Sequence, residues 1–189
     1  MTSSNLGVQT QSTLDPSVKQ IVNDFSIQIA TVNGSGSQSA NSVLLRSIFR
    51  MGIPVSGKNL FPSNIAGLPT WYTIRVSKHG WVARNADIDV LIAMNAETAR
   101  EDVLAMRAGA AVIYDETLGL DQVRSDVVFY PVPFDKLAAA TGADAKIRKL
   151  VKNMVYVGVA ANLLSIDMEW VETTVRNSSP PSPRRLSST

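Results

Sequence analysis

The stretch that most constrains this chain is IQIATVNGSGSQSANS, residues Ile27–Ser42. An apolar, β-prone run (Ile27, Ile29, Ala30, Val32) ends in a glycine-serine turn, and a helical pattern starts directly after it. A strand, a tight turn and a helix in that order form a βα unit. Its turn can bring backbone N–H groups close to an anion. Around this unit the charge is one-sided. From Phe25 to Ala86 there is no Asp or Glu, whereas Arg46, Arg50, Lys58, Arg75, Lys78 and Arg84 are present.

The 189 residues fit one domain with additional ends. A chain of that size can bury roughly two-thirds of its extended surface, and 45% hydrophobic residues supply a core. Residues 1–20, rich in Ser, Thr and Gln, read as a flexible arm, and 177–189 as a disordered Pro/Ser/Arg tail, which leaves 21–176 as the domain. There is no cysteine, hence no disulfide and no thiolate for an iron–sulfur cluster or a Cys-type zinc site. The single histidine, His79, argues against a His-based metal site and reads as a turn residue. The N-terminus lacks a secretory pattern, and no apolar run approaches the ~18 residues of a membrane span. The expectation is a cytoplasmic protein without membrane or nucleic-acid partners.

Strand and helix signals alternate along the domain. Strands are expected near 26–32, 55–61, 71–77, 88–94, 111–114 and 126–132. Helices are expected near 38–51, 96–107, 134–140, 146–165 and 167–176. The Lys78-His79-Gly80 turn reads as the bend of a hairpin joining 71–77 to Trp81–Arg84. The pattern predicts an α/β fold: a Rossmann-like three-layer sandwich with a mostly parallel sheet and an antiparallel hairpin. From Met154 onward the long helix is apolar nearly all round, so it packs on several sides, within the domain or against another subunit.

The turn matches G-x-G-x-x-G at Gly34 and Gly36, with Ser39 in the third place. A ribose-binding carboxylate belongs ~20 residues further on, where the chain reads Val55-Ser56-Gly57-Lys58-Asn59. Nicotinamide chemistry is therefore disfavoured, and no Gly-Lys-Ser/Thr closes a P-loop. What remains is an anion cradle. The backbone from Ser35 to Ser39, the hydroxyls of Ser35, Ser37 and Ser39 and the Gln38 amide would sit at a helix N-terminus carrying about half an elementary charge, with Lys58 converging from the neighbouring segment. A glycine turn is equally a way to fold a tight connection, and an acid-free block is equally a face against a partner. No catalytic constellation emerges.

Four segments together carry a family resemblance: VNGSGSQSAN (Val32–Asn41), GKNLFPSNIAGLPTWYTIRVS (Gly57–Ser77), DIDVLIAMN (Asp87–Asn95) and KNMVYVGVAANLLSI (Lys152–Ile166). The chain resembles the gamma-type domain of the 2-oxoacid:ferredoxin oxidoreductases, above all the N-terminal part of the 2-oxoglutarate-type alpha subunit. The resemblance implies a structural, non-catalytic module near the coenzyme A route of a complex that oxidatively decarboxylates a 2-oxoacid and reduces ferredoxin. Thiamine diphosphate and the iron–sulfur clusters would sit on partner domains or subunits. It also implies Gly34, Ser35, Gly36, Ser37, Gln38, Ser39 and Lys58 as candidates for phosphate contact, and Asn64, Gly67 and Asn153 for the inter-domain edge. Ser37 and Ser39 stand where the family commonly has glycine. In the 2-oxoglutarate type a pyrimidine-binding domain usually follows, so this chain is either a stand-alone subunit or a truncated fusion, and no turnover is expected of it alone. A free-standing module for coenzyme A or another phosphorylated ligand is the alternative.

Overall fold

A computed structural model describes residues 23–62 and 65–178. The expected arm, nearly all of the expected tail and the edge candidate Asn64 lie outside the described residues. Six strands, β1 (Asp24–Val32), β2 (Val55–Leu60), β3 (Pro69–Ser77), β4 (Val90–Ala93), β5 (Ala111–Asp115) and β6 (Val128–Val132), form one sheet in the order β2-β3-β1-β4-β5-β6. The pairs β1–β4, β4–β5 and β5–β6 are parallel, while β3 runs antiparallel to both β1 and β2. This is the mostly parallel α/β architecture the pattern predicts.

The helices are α1 (Ser37–Arg50), α2 (Ala99–Leu104), α3 (Phe134–Ala140), α4 (Ala145–Leu163) and α5 (Met168–Ser178). They sort to the two faces because strand side chains alternate. Ile27 and Ile29 of β1, Ile74 of β3 and Ile92 of β4 point to one face, into a core with Leu44 and Ile48 of α1, Tyr156 and Ala160 of α4 and Val171 of α5. Ala30, Leu91, Ala93, Val112 and Tyr114 point to the other, against Ala99 and Val103 of α2. The α1 face read from the sequence (Ala40, Val43, Leu44, Ser47, Ile48) is buried throughout.

Two elements differ from the sequence reading. The partner of β3 is β2, registered Lys58↔Thr73 and Asn59↔Tyr72, and Trp81–Arg84 is not a strand. Trp81 and Val82 are exposed in a loop where His79 stacks on the Trp81 ring at 5.2 Å. A local turn signal cannot reveal that the β3 edge is already occupied by an earlier segment. Helix α2 begins at Ala99 rather than Ala96, because the Asn95 side-chain carbonyl accepts the Glu97 N–H (3.1 Å) and holds a turn there.

Candidate functional site

The glycine-serine turn lies at the carboxyl end of β1. On one side of β1 the neighbouring strand is antiparallel β3, on the other it is parallel β4. The chain reverses its winding at this point, and α/β sheets open a crevice for ligands at such a switch. Gly34 (φ 82°) and Gly36 (φ 78°) take left-handed backbone conformations, which L side chains adopt only with strain. Gly36 is the residue before α1, and no side chain caps the helix there. By their position, the first amides of α1 have no acceptor within the helix.

Helix α4 lies over the turn and fixes it. The Asn153 carboxamide donates to the Ser35 carbonyl (3.0 Å), and the Tyr156 hydroxyl donates to Asn41 Oδ1 (2.7 Å), with the Ser37 carbonyl at 3.3 Å. Tyr156 is fully buried, and that burial pushes its phenol far above the ordinary tyrosine range, so it stays a donor. The Ser37 hydroxyl shares a hydrogen bond with Thr31 (3.0 Å). From the other side, the Gly67 amide donates to the Asn33 carbonyl (3.0 Å) and the Asn33 amide to the Leu68 carbonyl (2.8 Å). Gly67 and Asn153, expected at an inter-domain edge, thus both bond to the turn segment itself.

A cleft of about 480 Å³ opens beside the turn. Gly34, Gly36, Ser37 and Gln38 line it from the turn and α1, together with the carboxamides of Asn33, Asn41 and Asn59. Thr31, Thr70, Tyr72 and Phe61 complete the wall. Among the described residues no Lys, Arg, His, Asp or Glu lines it. Its chemistry is that of neutral donors and acceptors around an uncapped helix N-terminus.

The expected site residues separate in the structure. Ser35 lines a smaller cleft of about 190 Å³ on the other side of the turn, beside Lys149, Lys152 and Asn153. Its amide is taken by the Val32 carbonyl (3.0 Å), and its hydroxyl oxygen is buried without a hydrogen-bond partner among the described residues. Ser39, on the exposed first turn of α1, lines neither cleft. Lys58 does not converge on the turn. Strand alternation sends Asn59 to the turn cleft and Lys58 to the opposite face of the sheet, into a separate cleft with Thr73, Arg75 and Arg84. The cations that do approach the turn come from α4. Lys152 is engaged there with Asp115 (2.8 Å) and Asp135 (3.0 Å). Burial works to raise the Asp115 carboxyl, but the Lys152 ammonium and the Thr117 hydroxyl and amide outweigh it and hold the group below its usual value.

Sequence reasoning missed the carboxamides. Asn41 carries the helical spacing of the buried α1 face, four residues after Ser37, and could have been found from it. Asn59 becomes visible only once the β2–β3 register is known. Among the described residues no cluster of metal-ligating side chains occurs, and no helix is long and apolar enough to cross a membrane.

Comparison with known proteins fits this geometry. The family described as pyruvate ferredoxin/flavodoxin oxidoreductase matches residues 26–183. The alpha subunit of 2-oxoacid:ferredoxin oxidoreductase 2 from Aeropyrum pernix is 29% identical over 105 residues, which is 56% of this chain and 16% of that protein. The structure of 2-oxoglutarate:ferredoxin oxidoreductase from Magnetococcus marinus, with 2-oxoglutarate, coenzyme A and succinyl-CoA bound, is similar with a TM-score of 0.71 at 24% identity. It covers 82% of this chain and 27% of its own. Pyruvate oxidoreductase subunit PORC from Thermotoga maritima has the same fold, with a TM-score of 0.65 at 16% identity, covering 84% of this chain and 87% of its own. The chain therefore spans less than a third of the Aeropyrum and Magnetococcus chains and most of the length of PORC.

Proposed function

This chain belongs to the pyruvate ferredoxin/flavodoxin oxidoreductase family, and on that premise we propose that it is the gamma-type binding module of a 2-oxoacid:ferredoxin oxidoreductase assembly. In this reading it holds coenzyme A close to chemistry performed on partner domains, and it turns over nothing alone. The observation that carries the reading is the composition of the turn cleft. It offers side-chain amides, hydroxyls and helix N–H groups, and among the described residues no carboxylate, ammonium, guanidinium or imidazole. Such a lining binds and orients a ligand without catalysing its reaction.

The fit to coenzyme A is specific in part. Carboxamides pair with the amides of the pantetheine arm through matched donors and acceptors, so Gln38, Asn59 and the carbonyl oxygen of Asn33 would hold that arm, while Asn41 is buried against Tyr156. The uncapped N-terminus of α1 and the Gly34–Ser39 backbone would face any phosphate that reaches the turn. Coenzyme A supplies a thiol that accepts the acyl group. The residues here would position it and exclude competing contacts. Thiamine diphosphate and iron–sulfur clusters belong to the partners in this reading, in keeping with a chain that has no cysteine. The substrate class is a 2-oxoacid, and 2-oxoglutarate is the favoured member, given the similarity to the Magnetococcus enzyme.

The test is reconstitution of the full chain with thiamine-binding subunits of a 2-oxoacid oxidoreductase. A stable complex whose coenzyme A-dependent reduction of ferredoxin needs this chain would support the reading. A chain that stays monomeric beside those subunits, yet binds coenzyme A tightly, would favour the free-standing module instead.

A further inference from the structure

The opposite face of the hairpin carries a site of different chemistry. Helix α2 packs on that side and reaches β3 at Trp71, whose indole N–H donates to Asp102 (2.9 Å), while the loop after β3 passes over the rest of β2 and β3. Under the loop lies a cleft of about 260 Å³, formed by Ser56 and Lys58 of β2, Thr73 and Arg75 of β3, and Val82 and Arg84 of the loop. The loop is tied down where the Ser56 hydroxyl donates to the Val82 carbonyl (3.1 Å).

The charges here are unbalanced in a defined way. Arg75 is 8% exposed, and its guanidinium is fixed in the floor, donating to the Phe25 and Val76 carbonyls and paired with Asp24. That pair is neutral overall. Lys58 and Arg84 are exposed, and neither has an acidic partner among the described residues. Two uncompensated cations therefore face one cleft, inside a block that contains no acidic residue from Phe25 to Ala86. A solvated surface normally interleaves both signs. A cleft lined by one sign with a buried floor focuses its field on an anion instead.

We propose that this cleft binds the phosphoryl group of a small molecule, held between Lys58 and Arg84 over the Thr73–Arg75 floor. A phosphoryl group carries about −1.5 to −2 charges at neutral pH, which matches the two free cations. Its several oxygens suit a guanidinium that donates in pairs and an ammonium acting as a point charge. The Thr73 hydroxyl adds a neutral donor. This site lies across the sheet from the turn cleft and does not depend on the function proposed for that cleft.

The experiment is an NMR-monitored titration of the full chain with inorganic phosphate and with pyrophosphate, at low ionic strength. Saturable shifts at residues 56–58, 73–75 and 82–84 are expected, with pyrophosphate binding tighter than phosphate. The double variant Lys58→Gln/Arg84→Gln should weaken binding at least about tenfold, or roughly 1.4 kcal/mol. Ser39→Ala changes a side chain that lines neither cleft and adds no charge, so it should leave this binding unchanged. Shifts that persist in Lys58→Gln/Arg84→Gln, or that fall at residues 33–41 in place of the outer face, would overturn the proposal. So would saturation by an acidic peptide under conditions where pyrophosphate does not bind, because the face would then be a protein-docking surface.

Discussion

The two clefts sit on opposite faces of one hairpin, and adjacent residues feed them: Asn59 points into one and Lys58 into the other. The turn cleft is uncharged and built into the fold, since its walls are hydrogen-bonded to α4 through Asn153 and Tyr156. The outer cleft is charged and laid on the fold, with its two free cations on exposed positions. A site wired into the core cannot be altered without disturbing stability. A site made of exposed cations can be emptied of charge at little cost. The contrast separates positioning chemistry from electrostatic capture within a few residues of sequence.

The largest effect that would sharpen this contrast is expected at Gly36. A Cβ there would clash with Leu150 Cδ2, and the backbone sits at φ 78°. Gly36→Val should cost about 3 kcal/mol, from left-handed strain and displacement of Leu150. It should also abolish binding in the turn cleft; denaturant unfolding and ligand titration read both. Tyr156→Phe leaves buried Asn41 Oδ1 without its donor and should cost about 2 kcal/mol. If unfolding shows no loss, α4 does not hold the turn.

Lys152→Met removes the partner of Asp115 and should lower stability at pH 7 by roughly 1–2 kcal/mol, given a pair only partly shielded from solvent. The folded Asp115 pKa lies below its unfolded value, so the pair stabilises above about pH 3.9. That stability is lost as pH falls through the folded value. The gap between wild type and Lys152→Met should accordingly close in strong acid, as urea unfolding across pH would reveal. The smallest effect is expected from Lys58→Gln/Arg84→Gln, within about 0.5 kcal/mol of wild type. A larger loss would mean that the outer cleft, too, is structural.

Much of the framework was legible in the sequence because it rests on local periodicity. The α1 face, the apolar late helix and the strand–turn–helix unit at Gly34–Gly36 all follow from short-range patterns. Three features did not, each for a non-local reason. The Trp81–Arg84 segment looks extended, but β2 already occupies the edge of β3. Lys58 looked near the turn along the chain, yet a side chain's face depends on strand parity, and parity is fixed only by register. Lys152 stands among Lys146, Arg148 and Lys149 in the sequence, and its role appears only when α4 meets Asp115 and Asp135. The site residues best anticipated are those whose geometry the backbone alone sets. Those misplaced depend on which strand pairs with which.

The most direct test is a pair of NMR titrations of the same full-length chain, one with pantetheine, the phosphate-free amide arm of coenzyme A, and one with inorganic phosphate. Two clefts of different chemistry predict distinct sets of shifts: residues 33–41 and 59 for pantetheine, and, at the lowest phosphate concentrations, residues 56–58, 73–75 and 82–84 for phosphate, which pantetheine leaves unmoved. Lys58→Gln/Arg84→Gln should weaken only the second. A single set of residues responding to both ligands, or a loss of pantetheine binding in that variant, would contradict the account.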